Sequence, residues 1–104
     1  MRAIVFAVAV LAAAGPAFAD AEARVGADFV RITARPCDDP KVLDLVKEAW
    51  ENPLDYRHAV AEVDGVPYAA CWRPLMQRRQ NLLRYPDGDS GLIDWSDFKP
   101  VKEV

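Results

Sequence analysis

Apolar positions are spread unevenly along the chain, and their spacing changes from one stretch to the next. From Ala3 to Ala14 every residue is apolar. Arg2 precedes this run, Gly15-Pro16 breaks it and Ala17-Phe18-Ala19 follows. A basic start, about a dozen apolar residues and an A-x-A site read as a secretory signal peptide over residues 1–19, cleaved after Ala19. The run is too short to span a bilayer as a helix. Residues 20–28 are small and polar and read as a loose arm. In Phe29-Val30-Arg31-Ile32-Thr33, β-favouring residues alternate around Arg31, which predicts a short strand ending before Pro36.

Helical spacing follows. Val42, Leu43, Leu45, Val46, Ala49 and Trp50 recur at i, i+3, i+4 and i+7 and form one apolar face. Asp39 is placed to cap. Pro40 suits the first helical position, where its missing N–H is an orphan in any case. Asn52-Pro53 is a stop signal, so the helix is expected over 40–51 with Trp50 on its buried face.

Two β-like runs, 56–63 and 66–72, then flank Asp64-Gly65. This pair suits a type I′ turn, which needs positive φ at both central residues. A two-residue loop pairs Val63 with Val66, Ala61 with Tyr68, His58 with Cys71 and Arg57 with Trp72. Pro67 falls where its nitrogen faces away from the partner strand. The hairpin is unharmed, but a further strand is barred there, so the second strand is expected to be an open edge near its start. Arg73-Pro74 reads as the end of that strand. Residues 75–85 suit either a helix or a strand. Leu82–Tyr85 and Leu92-Ile93 around the 86–91 turn favour a second hairpin. Residues 94–98 look like one 3₁₀ turn that buries Trp95 and Phe98, followed by a tail.

Composition narrows the class. The 104 residues carry 13 Lys+Arg and 16 Asp+Glu. Removing residues 1–19 takes only Arg2 from that tally, which leaves an acidic domain of residues 20–104. An acidic balance argues against nucleic acid and against polybasic membrane attachment. No second apolar segment anchors the chain once the leader is removed. Cys37 and Cys71 are the two cysteines. In an exported chain they are expected to form one disulfide, because redox pairs favour C-x-x-C spacing and a zinc site needs further ligands.

Candidate chemistry is sparse. Asp87-x-Asp89 opens like a calcium loop, but Gly91 stands at the third ligand position and Phe98 at the twelfth, so a plain turn is expected. His58, the one histidine, lacks a nucleophile, since Cys71 is expected to be bonded. Arg73, Arg78, Arg79 and Arg84 form a basic block ahead of Asp87, Asp89, Asp94 and Asp97. The two blocks are expected to neutralise each other across strands, with a partner- or anion-binding patch as the sharper reading. No catalytic residue, metal site or cofactor is expected.

Phe29-Val30-Arg31-Ile32-Thr33 with Cys37, Ala-Glu-Val-Asp-Gly-Val-Pro-Tyr-Ala-Ala-Cys-Trp at 61–72, Gly88-Asp89 and Phe98-Lys99-Pro100 together resemble a group of small, exported, uncharacterised proteins of proteobacteria and their prophages. The resemblance implies a bacterial or phage source and the periplasm, or secretion, as the compartment. It supplies no catalytic residue. The resulting expectation is an α+β domain: one helix packed on a small antiparallel sheet of four to five strands, pinned by Cys37–Cys71, with a small SH3-like barrel as the alternative. The expected function is non-enzymatic binding or regulation of a periplasmic or cell-envelope protein, with Tyr68, Arg73, Arg78 and Arg79 as candidate contacts. The alternative is a cell-wall or small-ligand binding module, or a minor hydrolase.

Overall fold

The computed structural model describes residues 20–101; the expected signal peptide, residues 1–19, lies outside them. The described chain is mostly sheet. Strands β1 (Ala21–Val25), β2 (Asp28–Pro36), β3 (Arg57–Val63), β4 (Val66–Leu75), β5 (Gln80–Arg84), β6 (Ser90–Asp94) and β7 (Phe98–Pro100) form one antiparallel sheet in the order β6-β5-β4-β3-β2-β1-β7. One helix, α1 (Pro40–Glu48), lies between β2 and β3. This corrects the expected four- to five-stranded α+β domain, and the SH3-like alternative with it: seven strands curl into a half-barrel.

The curl follows from connectivity. β6 and β7 are the two edges of the sheet, yet only a 3₁₀ turn, Trp95–Asp97, separates them in the chain. So short a link requires the sheet to bring its edges together. The core agrees: Ile32, Ala59, Ala70, Trp72 and Leu83 form one buried cluster, and Ala21 of β1, Ile93 of β6 and Phe98 of β7 all pack against it. Trp95 and Phe98 are themselves only partly buried.

Two strands are additions to the expected set. The expected loose arm is β1, joined to β2 by Gly26-Ala27, with Gly26 at φ 64° as the first central residue of a II′-type hairpin requires. Alanine and glutamate are weak strand formers, so β1 is held by its neighbours: β2 on one side and β7 on the other. The expected tail supplies β7, and the Val101 N–H donates to the Asp20 carbonyl at 2.8 Å.

The β3–β4 register is the one that Asp64-Gly65 dictates, with Val63 opposite Val66 and Arg57 opposite Trp72. Both turn residues have positive φ, 53° and 77°. β5 pairs β4 only from Cys71 to Leu75, which leaves Val66–Ala70 with β3 alone on this side, and Pro67 lies in that open stretch. Pro74 does not end the strand. β3 pairs no further than Trp72, so beyond it β4 has β5 as its one neighbour, and a proline is tolerated on such a half-free strand. Residues 75–85 are therefore the end of β4, a turn and β5.

Helix α1 packs on the outer face of the sheet at Cys71 of β4 and Leu82 of β5. Asp39 caps it by accepting from the Val42 N–H at 3.0 Å. Val42 and Val46 are fully buried and pack on Cys37, Tyr56 and Cys71. Cys37 and Cys71 form the disulfide, with Cα atoms 5.5 Å apart, as a relaxed bridge allows. A disulfide is consistent with an oxidising compartment. Among the described residues no helix is long and apolar enough to cross a membrane.

Candidate functional site

The helix stops earlier than its periodicity suggests, and the way it stops shapes the surface. Ala49 is the C-cap. The Trp50 N–H donates to the Lys47 carbonyl at 3.0 Å, and the Glu51 N–H reaches back to the Val46 carbonyl at 3.1 Å. This is a Schellman ending, whose C′ residue adopts the left-handed conformation and is usually glycine. Here it is Trp50, at φ 62°. A side chain in that region costs roughly 1–2 kcal/mol.

Trp50 is 96% exposed. The expectation that its ring fills the core is therefore wrong, because the reversal at Ala49 swings position 50 off the helix's apolar face. Leu54, four residues on in a short 3₁₀ turn capped by Asn52, is 88% exposed.

Between these two apolar side chains the loop is clamped from within. Glu51 points inward. Its Oε1 accepts from the Tyr56 hydroxyl at 2.6 Å and from Arg84 Nη2 at 3.1 Å, while Arg84 Nε donates to the Tyr56 hydroxyl at 2.9 Å. Arg73 sits 4.0 Å from Glu51 Oε2, with its guanidinium 6.0 Å from the centroid of the Tyr56 ring. Burial, reinforced by the hydrogen bond to Glu51, pushes the Tyr56 phenol above its ordinary pKa. The bond to the Tyr56 hydroxyl, with Glu51 nearby, holds Arg84 still more firmly protonated. A carboxylate, a phenol and the Arg84 guanidinium thus hydrogen-bond one another, with Arg73 alongside and its buried Nε unpartnered, and fasten a loop whose two large apolar side chains face solvent.

This arrangement corrects the expected pairing of charge blocks. Arg73 and Arg84 turn to Glu51 rather than to the later aspartates. Asp94 instead accepts from Gln80 Nε2 at 2.8 Å, and Asp87 accepts from the Asp89 N–H within its own turn.

The candidate contact residues do not form one patch. Tyr68, 49% exposed, shares the face of β4 that carries Ala70 and Trp72, whereas Arg73 lies on the helix side. Arg78 and Arg79 are exposed in the β4–β5 turn, where Arg79 has a left-handed φ of 56°. His58, opposite Cys71, lies 3.3 Å from Thr33 Oγ1 and 3.2 Å from Arg35 Nη2. Trp50, Leu54 and Glu51 are the functional candidates that sequence reading missed. The available signal was the absence of glycine at the helix end.

No family model, curated protein or solved structure matches the chain.

Proposed function

We propose that the mature chain is an exported, non-enzymatic module that binds or regulates a protein of the cell envelope, and that Trp50 is its principal contact. The observation that carries this reading is a fully exposed tryptophan in a left-handed conformation where glycine costs least. Stability is given up at this position for a ring that packs against nothing in its own fold. Backbone strain of this kind concentrates at functional sites, and tryptophan is the side chain most enriched among residues that dominate interface energies. The Glu51 clamp supports the reading further, because an anchor held rigid before binding loses less entropy on association. Export is supported by the leader pattern and by the disulfide. The cleavage expected after Ala19 falls just ahead of β1 and leaves the Asp20 carbonyl in place for Val101.

The test compares mature wild type with Trp50→Gly. Immobilised wild type is expected to retain one periplasmic protein stoichiometrically. Trp50→Gly is expected to lose it while melting no lower than wild type, since glycine relieves the backbone. Equal capture by both forms, or no stoichiometric capture by wild type, overturns the proposal.

A further inference from the structure

The inner face of the half-barrel is packed unevenly. Around Trp72 it is filled, with Ile32, Ala59, Ala70 and Leu83 closing on the indole. One step along the strands, the row that crosses β1, β2 and β3 reads Ala23, Val30, Ala61. Ala23 and Ala61 are buried, so their methyl groups are all the volume those positions contribute. Interiors of small barrels are normally filled by side chains. Here a cavity of about 270 Å³ remains, floored by Ala23, Val30 and Ala61 and walled by Val63, Tyr85 and Ile93.

The cavity's charges have one sign left over. Asp28 and Asp97 both line it. Asp28 accepts only the backbone N–H of Asp64, at 3.0 Å, and among the described residues no base pairs with either carboxylate. Arg24, the one base in the wall, lies over the Phe29 ring and shares the Glu22 carboxylate with Arg31, so it offsets at most one of the two aspartates and the lining keeps an acid in excess. The Tyr85 phenol in the same wall is pushed above its ordinary pKa, first by burial and then by Asp87 and Asp89, two further acids near this wall.

We infer that this cavity is a binding site for a small molecule with an apolar body and one cationic head: an alkyl- or arylamine. An apolar cavity of about 150 Å³ accommodates benzene, so this one has room for a phenyl ring and a short amine arm. The ring removes apolar wall from water, and the ammonium pairs with Asp97. A neutral analogue leaves that carboxylate partly desolvated and unpaired, and an anionic one is repelled. The site is independent of the Trp50 surface.

Titration of the mature protein with 2-phenylethylamine, 2-phenylethanol and 3-phenylpropionate, followed by amide NMR shifts and calorimetry, tests the inference. The amine is expected to give saturable shifts at Ala23, Ala61 and Ile93 and to bind about tenfold more tightly than the alcohol, the value of one charge-assisted bond. Asp97→Asn is expected to remove that advantage and leave alcohol binding unchanged. Ala61→Leu, which fills the cavity, is expected to abolish the amine shifts, and Trp50→Gly to leave them intact. If Ala61→Leu fails to fold, Asp97→Asn, altered at an exposed side chain, still decides. Equal affinity for amine and alcohol, an unaffected Asp97→Asn, or no saturable shift in wild type overturns the inference.

Discussion

The Tyr56 hydroxyl donates to Glu51 Oε1 at 2.6 Å and so ties the residue that leads into β3 to the loop that closes α1. Arg84, from a strand 33 residues away along the chain, contacts both groups. Replacing Glu51 by Ala leaves a buried phenol and a partly buried guanidinium without their acceptor. The expected loss is about 1–3 kcal/mol of unfolding free energy, read by urea denaturation. Glu51→Gln is expected to lose less, because an amide oxygen still accepts from Tyr56. Equal stability of Glu51→Ala and wild type would show that the clamp does not hold the loop.

The same pair sets an alkaline limit. Tyr56 has a folded-state pKa raised above the unfolded value, by burial first and by Glu51 second, and Tyr85 is raised as well. The folded state therefore binds more protons than the unfolded state above pH about 10, the ordinary tyrosine value. This contribution is fully present below that pH and is lost as pH rises through the folded pKa values. Urea midpoints are expected to be insensitive to tyrosine ionisation at neutral pH and to fall above pH about 10. Tyr56→Phe is expected to be less stable at pH 7 but to show a shallower alkaline fall.

The legible parts of this fold were those governed by neighbours in sequence. Asp64-Gly65 sets the β3–β4 register without help from the rest of the chain, and Asp39-Pro40 starts α1 for equally local reasons. The parts that were not legible depend on distant partners. β1 is a weak strand sequence that pairs because β2 and β7 flank it, and β7 is three residues long. Pro74 is a strand breaker that survives because β3 has already ended. Trp50 was placed in the core by a periodicity that runs past the Schellman reversal. Glu51 gave no sign of its inward role, since Arg84 meets it through the curl of the sheet. Among the candidate contacts, Arg73 was singled out as part of a basic run, whereas its structural neighbours are Tyr56 and Glu51.

The disulfide closes a loop of sequence separation 34 and joins the end of β2 to the middle of β4. For a loop of this length the chain-entropy model gives about 3–4 kcal/mol, against a total stability of about 5–15 kcal/mol for a small domain. Because Cys71 is fully buried, the double change Cys37→Ala with Cys71→Ala is a cleaner test than introducing a hydroxyl there. The double variant is expected to melt well below wild type, and reduction of wild type is expected to reproduce most of that drop. Thiol titration of natively exported protein is expected to find no free thiol; two free thiols would refute the bridge.

Tyr68 and Trp72 share one face of β4, yet their surroundings differ because β5 begins to pair only at Cys71. At Trp72 the sheet curls over the ring, and the indole N–H donates to the buried Thr33 carbonyl at 2.9 Å. At Tyr68 no strand lies on the β5 side, and the ring is half exposed beside Val66. Trp72→Ala is therefore expected to cost roughly 3–5 kcal/mol, as large aromatic deletions from a core do, and to leave the Thr33 carbonyl without its donor. Tyr68→Ala is expected to cost about 1 kcal/mol or less, in the range of changes away from the core. Binding separates a contact role from a purely structural one. A contact made by Tyr68 on the inner face, apart from Trp50 on the helix side, would show as capture of the periplasmic partner weakened by about 1–2 kcal/mol while the urea midpoint stays near wild type. A stability loss comparable to that of Trp72→Ala would place the ring in the core and remove Tyr68 from the interface.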